Sequence, residues 1–191
     1  MKEYNIYITG VGGQGIGLLS QTLLRGADHA GLEVMAVDTH GLAQRGGVVV
    51  SRIRCGSKVF SPLTLSHHCD LVLGMEIHEA LRGVGAALKE GGTLVYLDIS
   101  WQPLPVRLGQ CPEVRTWDLS LACKNLDARC LEVETHGLAD VRMQNIALVG
   151  TVAKHALIPG VSRQYYARAL EDLLTGDILA RNLDIFNQYA G

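Results

Sequence analysis

The sequence predicts one α/β domain: a Rossmann-like, mostly parallel sheet with helices on both faces. Three observations predict it. Short apolar segments of strand length alternate with segments of helical period. The first strand runs through a glycine-rich turn straight into a helix. Hydrophobic residues make up 48% of the chain, yet only two are Phe and two are Trp, so the core is aliphatic, as in a parallel sheet covered on both faces.

The elements follow in order. Residues 5–9 (NIYIT) read as a first strand, ending in Gly10-Val11-Gly12-Gly13-Gln14-Gly15. Ile16, Leu18, Leu19, Leu23, Leu24 and Ala27 then recur at helical spacing up to Ala30, and Gly31 stops that helix. Residues 33–38 (EVMAVD) form a second strand. A polar loop follows, and 48–54 (VVVSRIR) is a third strand. Gly56-Ser57 predicts a hairpin turn, with 58–60 returning antiparallel. Residues 70–73 (DLVL) are a short buried strand, 76–89 a helix and 93–98 (TLVYLD) a strand. Three of the five prolines fall in 101–112, which reads as loop. Residues 113–118 are expected as a weak strand, and 119–128 as a short helix. Helices are expected at 143–157, 165–174 and 178–189. No repeat or linker divides the 191 residues.

Composition excludes several classes. Charged residues are 19% of the chain, too few beside its apolar content for a disordered protein. Lys plus Arg is 17 and Asp plus Glu 19, a formal net charge of −2, so nothing global favours nucleic acid or an anionic membrane. The five cysteines include no Cys-x-x-Cys pair, which argues against a disulfide framework, a zinc ribbon or a self-contained iron–sulphur site. No signal peptide and no membrane-spanning run is expected, and a cytoplasmic location with reduced thiols follows.

Two loops carry chemistry. Gly10-x-Gly12-x-x-Gly15 stands between a strand and a helix, where a dinucleotide fingerprint must stand. Glycines let a phosphate approach the backbone, and the helix start offers unpaired N–H groups and partial positive charge. Asp38 ends the second strand 23 residues after Gly15, which suits an acid gripping a ribose. A different anion, or close packing alone, also explains the glycines. Gln14, a donor and acceptor at the helix start, is expected to face a ligand or partner. The second loop, Thr39-His40-Gly41-Leu42-Ala43-Gln44-Arg45-Gly46-Gly47, leaves the same sheet edge. Glycines beside Arg45 leave its guanidinium free to enter a phosphate or carboxylate pocket; a solvated turn is the plain alternative.

Other constellations read as structural. His67-His68-Cys69-Asp70 alternates its ligands between two faces, so it is a polar lead-in to a strand rather than a metal site. Cys123 and Cys130 are seven residues apart and share a face if one helix runs through both. The small residues Ala147, Gly150, Thr151 and Ala153 suit close helix packing, inside the domain or at a subunit interface. Tyr165 and Tyr166 are adjacent and cannot share a helix face to stack bases.

Gly10-Val11-Gly12-Gly13-Gln14-Gly15-Ile16 with His40-Gly41-Leu42-Ala43-Gln44-Arg45-Gly46-Gly47 and Val50-Ser51-Arg52-Ile53-Arg54 resembles the gamma-type subunit or domain of 2-oxoacid:ferredoxin oxidoreductases. The resemblance continues at residues 145–150 and 182–186, so it spans nearly the whole chain, 1–191, as one gamma-type catalytic domain of the pyruvate/ketoisovalerate class. The His-Gly-x-Ala-Gln-Arg-Gly-Gly form is most similar to the small (beta) subunits of the indolepyruvate branch. The Pro-x-Phe-Gly-x-Glu-Arg-Arg-Gly-Ala form of pyruvate-type gamma subunits is absent from the sequence.

The resemblance implies an enzyme subunit that is inactive alone. The complex it implies oxidatively decarboxylates a 2-oxo acid to an acyl-CoA and reduces ferredoxin. Thiamine diphosphate, Mg, iron–sulphur clusters and coenzyme A would be bound in that complex, mainly by a larger partner subunit. No catalytic residue and no metal ligand is expected on this chain. Gly12, Gly13, Gln14, Gly15, Arg45, Gly46 and Gly47 are the expected cofactor-binding residues. Two alternatives stay open: a free-standing NAD(P)- or FAD-dependent oxidoreductase, and a non-catalytic regulatory or scaffold module. A homodimer of the isolated chain is also open.

Overall fold

Strand β1 (Glu3–Val11) is the core of the sheet, with seven consecutive buried residues from Asn5 to Val11. Its side chains alternate between two layers: Ile6 and Ile8 enter one apolar cluster and Tyr7 the other. The computed structural model describes residues 3–39, 47–101, 104–135, 138 and 141–191.

Helix α1 (Ile16–His29) buries Ile16, Leu19, Leu23 and Ala27 of the expected residues, while Leu18 and Leu24 flank that stripe and are only partly buried. Its end comes at Ala30, and Gly31 follows with φ 77°, the left-handed conformation a helix stop favours. The chain continues through β2 (Glu33–Asp38), β3 (Val48–Gly56), β4 (Cys69–Gly74), α2 (Ile77–Ala87) and β5 (Leu88–Leu97). Then come α3 (Leu104–Arg107), α4 (Thr116–Asn125), β6 (Arg129–Val133), α5 (Gln144–Lys154), α6 (Arg163–Leu173) and α7 (Gly176–Ala190).

The six strands lie in the order β2-β3-β1-β4-β5-β6. The pairs β1–β4, β4–β5 and β5–β6 are parallel, and β3 is antiparallel to both β1 and β2. The sheet is therefore mostly parallel, as the sequence predicts. Helices α1, α5, α6 and α7 cover the face that holds Ile6, Ile8, Leu71 and Val95, and α2 and α4 cover the other. In α5 eight successive residues, Asn145 to Val152, are buried. A Cβ on Gly150 would lie 2.6 Å from Tyr189 Cβ, so the small residues of α5 serve packing against α7 inside the domain.

Four local expectations are corrected. Residues 58–60 are not a strand; the Val59 N–H instead donates to Glu33 Oε2 at 3.0 Å. Residues 113–118 are not a strand either, because Asp118 accepts the Arg115 N–H at 2.9 Å and starts α4 at Thr116. The helix does not run from Cys123 to Cys130. It stops at Asn125, and Cys130 lies in β6, a strand not expected from the sequence. The loop at 101–112 contains the single turn α3. Among the described residues no helix is long and apolar enough to cross a membrane.

Candidate functional site

The carboxyl ends of β1, β2, β4, β5 and β6 and the start of β3 meet at one edge of the sheet. In open α/β sheets that edge carries the ligand crevice. Here β1 ends at Val11, and the glycine loop turns the chain into α1.

Each glycine of that loop has its own reason. A Cβ on Gly10 would sit 2.6 Å from Met75 Cβ and 2.7 Å from Gln14 Oε1. Gly13 and Gly15 have φ of 101° and 77°, which L side chains rarely adopt. The space beside Gly13 is open, whereas a Cβ on Gly15 would meet Asn145 Nδ2 at 2.7 Å. Gly13, Gly15 and Gly17 are exposed. They line, with Val11, Gly12, Ile16 and Val49, a concavity of about 460 Å³. Helix geometry leaves the N–H groups of Ile16, Gly17 and Leu18 without intrahelical acceptors. The first turn of α1 holds no acidic residue, so no side chain of that turn offsets its partial positive charge.

The two loops are joined. The Gly12 N–H donates to the Gly47 carbonyl at 2.9 Å, one step beyond the Val11–Val48 pair of the β1–β3 ladder. Arg45 and Gly46 lie outside the described residues.

Gln14 departs from expectation. Its side chain is turned inward and is only 7% exposed. Its Oε1 accepts the Val11 N–H at 2.7 Å, and its Nε2 donates to the Met75 carbonyl at 2.8 Å. Asp38 is also misplaced for a ribose. In a dinucleotide fold the second strand adjoins the first, but here β3 lies between them, which puts Asp38 about two strand spacings, roughly 10 Å, from β1.

A polar cluster at the end of β4 was not singled out from the sequence. The Thr9 hydroxyl donates to Glu79 Oε2 at 2.8 Å, and Arg82 Nε donates to the same oxygen at 2.9 Å. Glu76 caps α2 by accepting the Glu79 N–H, and its Oε2 meets His78 Nδ1 at 2.9 Å. His78 Nε2 accepts the Val114 N–H at 3.2 Å, which assigns the imidazole proton to Nδ1. Glu76, His78 and Glu79 are all buried. The cluster anchors α2 and segment 113–115 to the sheet edge. The Glu76-x-x-Glu79 spacing after a buried strand was its sequence signal.

Cys123 and Cys130 do meet, their thiols sharing a hydrogen bond between α4 and β6. Among the described residues no three His, Cys, Asp or Glu side chains converge to hold a metal. Cys55 is fully buried, and burial pushes its thiol up to about 12. Asp70 accepts the Asn5 N–H at 2.7 Å and pairs with Lys89, so it closes the lead-in to β4.

A family model described as pyruvate ferredoxin/flavodoxin oxidoreductase matches residues 5–189. Indolepyruvate oxidoreductase subunit IorB of Archaeoglobus fulgidus is 30% identical over 185 residues, covering 94% of this chain and 90% of that protein. The subunit of the same name from Thermococcus kodakarensis is 42% identical over 105 residues, 55% of this chain and 50% of that protein. The match thus spans about half the length of the Thermococcus relative. A keto/oxoacid ferredoxin oxidoreductase gamma subunit from Geobacter sulfurreducens superimposes with a TM-score of 0.68 at 19% identity, covering 98% of this chain and 96% of that one. The 2-oxoglutarate:ferredoxin oxidoreductase of Magnetococcus marinus gives 0.67 at 18% identity, covering 99% of this chain but 30% of that one. At such identities these two establish the fold.

Proposed function

The chain belongs to the pyruvate ferredoxin/flavodoxin oxidoreductase family, and from that membership we propose that residues 1–191 are the gamma-type catalytic domain and small subunit of a 2-oxoacid:ferredoxin oxidoreductase. Its substrate is indolepyruvate or another aryl pyruvate. The observation that carries this reading is the 30% identity to an indolepyruvate oxidoreductase IorB subunit over 94% of the chain.

In the proposed reaction, a 2-oxo acid, coenzyme A and two oxidised ferredoxins give an acyl-CoA, CO₂, one proton and two reduced ferredoxins. The thiamine diphosphate, Mg and iron–sulphur clusters, which supply decarboxylation and single-electron transfer when bound, are assigned to a larger partner subunit. The side chains described here do not fit a metal or a cluster, because no three ligating groups converge.

This chain contributes a shaped surface. The exposed backbone of Gly13, Gly15 and Gly17 meets a phosphate or carboxylate, or the partner's backbone, beside the coenzyme A cleft. Gly12 and Gly47 lock the two loops together. Arg45 and Gly46 directly precede Gly47 in the sequence, and Arg45 supplies the cation. The strand order argues against the free-standing dinucleotide reading, since it carries Asp38 away from the glycine loop.

Arg45→Ala in the reconstituted complex tests the site. The expected result is a weaker complex or a higher KM for coenzyme A, by about tenfold for one lost charge-assisted contact. If both stay within twofold of wild type, the site reading is wrong.

A further inference from the structure

We infer that Gln14 and Asn145 are positioning residues: two buried carboxamides that hold the glycine loop in its working shape from behind, without touching what binds in front. The inference rests on the reading of that loop as the contact surface and assigns the parts of the sequence that build it.

Gln14 is the polar residue inside the glycine motif, yet its side chain points away from the concavity. It bridges the Val11 N–H and the Met75 carbonyl, residues on neighbouring strand ends. That bridge needs one acceptor and one donor at carboxamide reach. An ionised Glu cannot donate, a Lys cannot accept, and an Asn is one methylene short. The same side chain explains Gly10, whose Cβ would collide with Gln14 Oε1. Gly10 and Gln14 are thus one packing unit, not two contacts to a ligand.

Asn145 does the same from the other side. It is 2% exposed and stands in the first turn of α5, 130 residues from the loop. Its Nδ2 donates to the Gly15 carbonyl at 3.1 Å, and its Oδ1 accepts the Ile146 N–H at 2.9 Å. A peptide unit is planar and trans, so pinning the Gly15 carbonyl also fixes the opposite direction for the Ile16 N–H. That N–H belongs to the free first turn of α1, which borders the concavity. Gly15 in turn must lack a Cβ to admit Asn145. The loop is therefore clamped by the end of β4 through Met75 and by the start of α5 through Asn145.

The test uses the full chain reconstituted with the larger subunit, and two variants that each remove one donor. Gln14→Glu keeps the acceptor for Val11 and loses the donor to Met75. Asn145→Asp keeps the acceptor for Ile146 and loses the donor to Gly15. Each is expected to raise the KM for coenzyme A or the dissociation constant of the complex by about tenfold, the size of one buried hydrogen bond, with a smaller change in kcat.

Gln14→Glu carries a second signature. Lowering the pH protonates the introduced carboxyl and restores a donor to Met75, so its defect relative to wild type shrinks as pH falls. Asn145→Asp places its carboxylate at the start of α5, where the helix dipole favours it, and carries the test if the other variant does not fold.

If both variants lower thermal stability but leave KM and assembly within twofold of wild type, the two residues are structural only and the inference fails. Arg45→Ala separates that failure from failure of the site. An effect of Arg45→Ala without one from the clamp variants overturns the clamp alone. An Arg45→Ala without effect overturns the site reading, and with it the clamp that rests on it.

Discussion

Gly10 and Gly17 lie seven residues apart in one strand–loop–helix unit and are glycines under opposite physical conditions. Gly10 has no room for a methyl group: Met75 Cβ and Gln14 Oε1 occupy the place. Gly17 has nothing within 4 Å of its missing Cβ and lies in the first turn of α1. Overpacking costs about 1–3 kcal/mol, while replacing an unhindered helical Gly by Ala gains up to about 1 kcal/mol. Gly10→Ala should therefore lower the unfolding free energy, and Gly17→Ala should raise it. Urea unfolding of the isolated variants reads both signs, and a loss at Gly17 or a gain at Gly10 contradicts the geometry. The glycine spacing was legible in the sequence because a strand–turn–helix leaves few other uses for it. The direction of Gln14 was not, since a carboxamide serves a backbone bridge as well as it serves a ligand. Asn145 opens the segment 145–150 that shares the resemblance, but its partner Gly15 is 130 residues away and no periodicity links them.

At the scale of the element, β3 decides most. It enters antiparallel between β1 and β2, and it pairs Cys55 with both Tyr4 and Val34. The Cys55 thiol reaches the Tyr4 carbonyl at 3.7 Å. Burial pushes Cys55 from its ordinary 9.0 up to about 12, and burial also raises Tyr4, with the Asp70 charge adding to it. Both groups are held neutral in the fold, so the unfolded chain loses their protons first. Their stabilising contribution is complete below about pH 9 and is lost as pH rises toward the folded values. The unfolding midpoint in urea should fall steadily between about pH 9 and pH 12, and Cys55→Ala should flatten part of that fall. A midpoint independent of pH over that window contradicts the burial argument.

Helices α1, α6 and α7 were legible because their apolar residues recur at helical spacing, and α5 because its apolar and small residues, buried on every side, run too long for a strand. Strand β6 was not, because it is an edge strand whose Arg129 and Glu132 reach outward and break the apolar run. Segment 113–118 misled for a similar local reason: Val114 and Trp117 look strand-like, but the Asp118 cap starts a helix there.

At the scale of the whole molecule, strand order separates two functions that the glycine motif leaves open. With β3 between β1 and β2, the acid of the second strand cannot serve a nucleotide on the first. At the sheet edge the glycine loop, Ile16 and Val49 line a concavity, and the Gly12–Gly47 hydrogen bond ties that loop to the start of β3. Such a surface suits a subunit that completes a site shared with a partner. The strand order could not be read from local patterns, since it depends on pairings between distant segments. The most direct measurement is 2-oxo-acid turnover with ferredoxin as acceptor, using indolepyruvate and coenzyme A. It compares the chain alone, the candidate thiamine- and cluster-bearing subunit alone, and the two reconstituted. Turnover only in the reconstituted complex is the predicted result. Turnover by this chain alone, or full turnover by the larger subunit without it, would contradict its role as a dependent but necessary subunit.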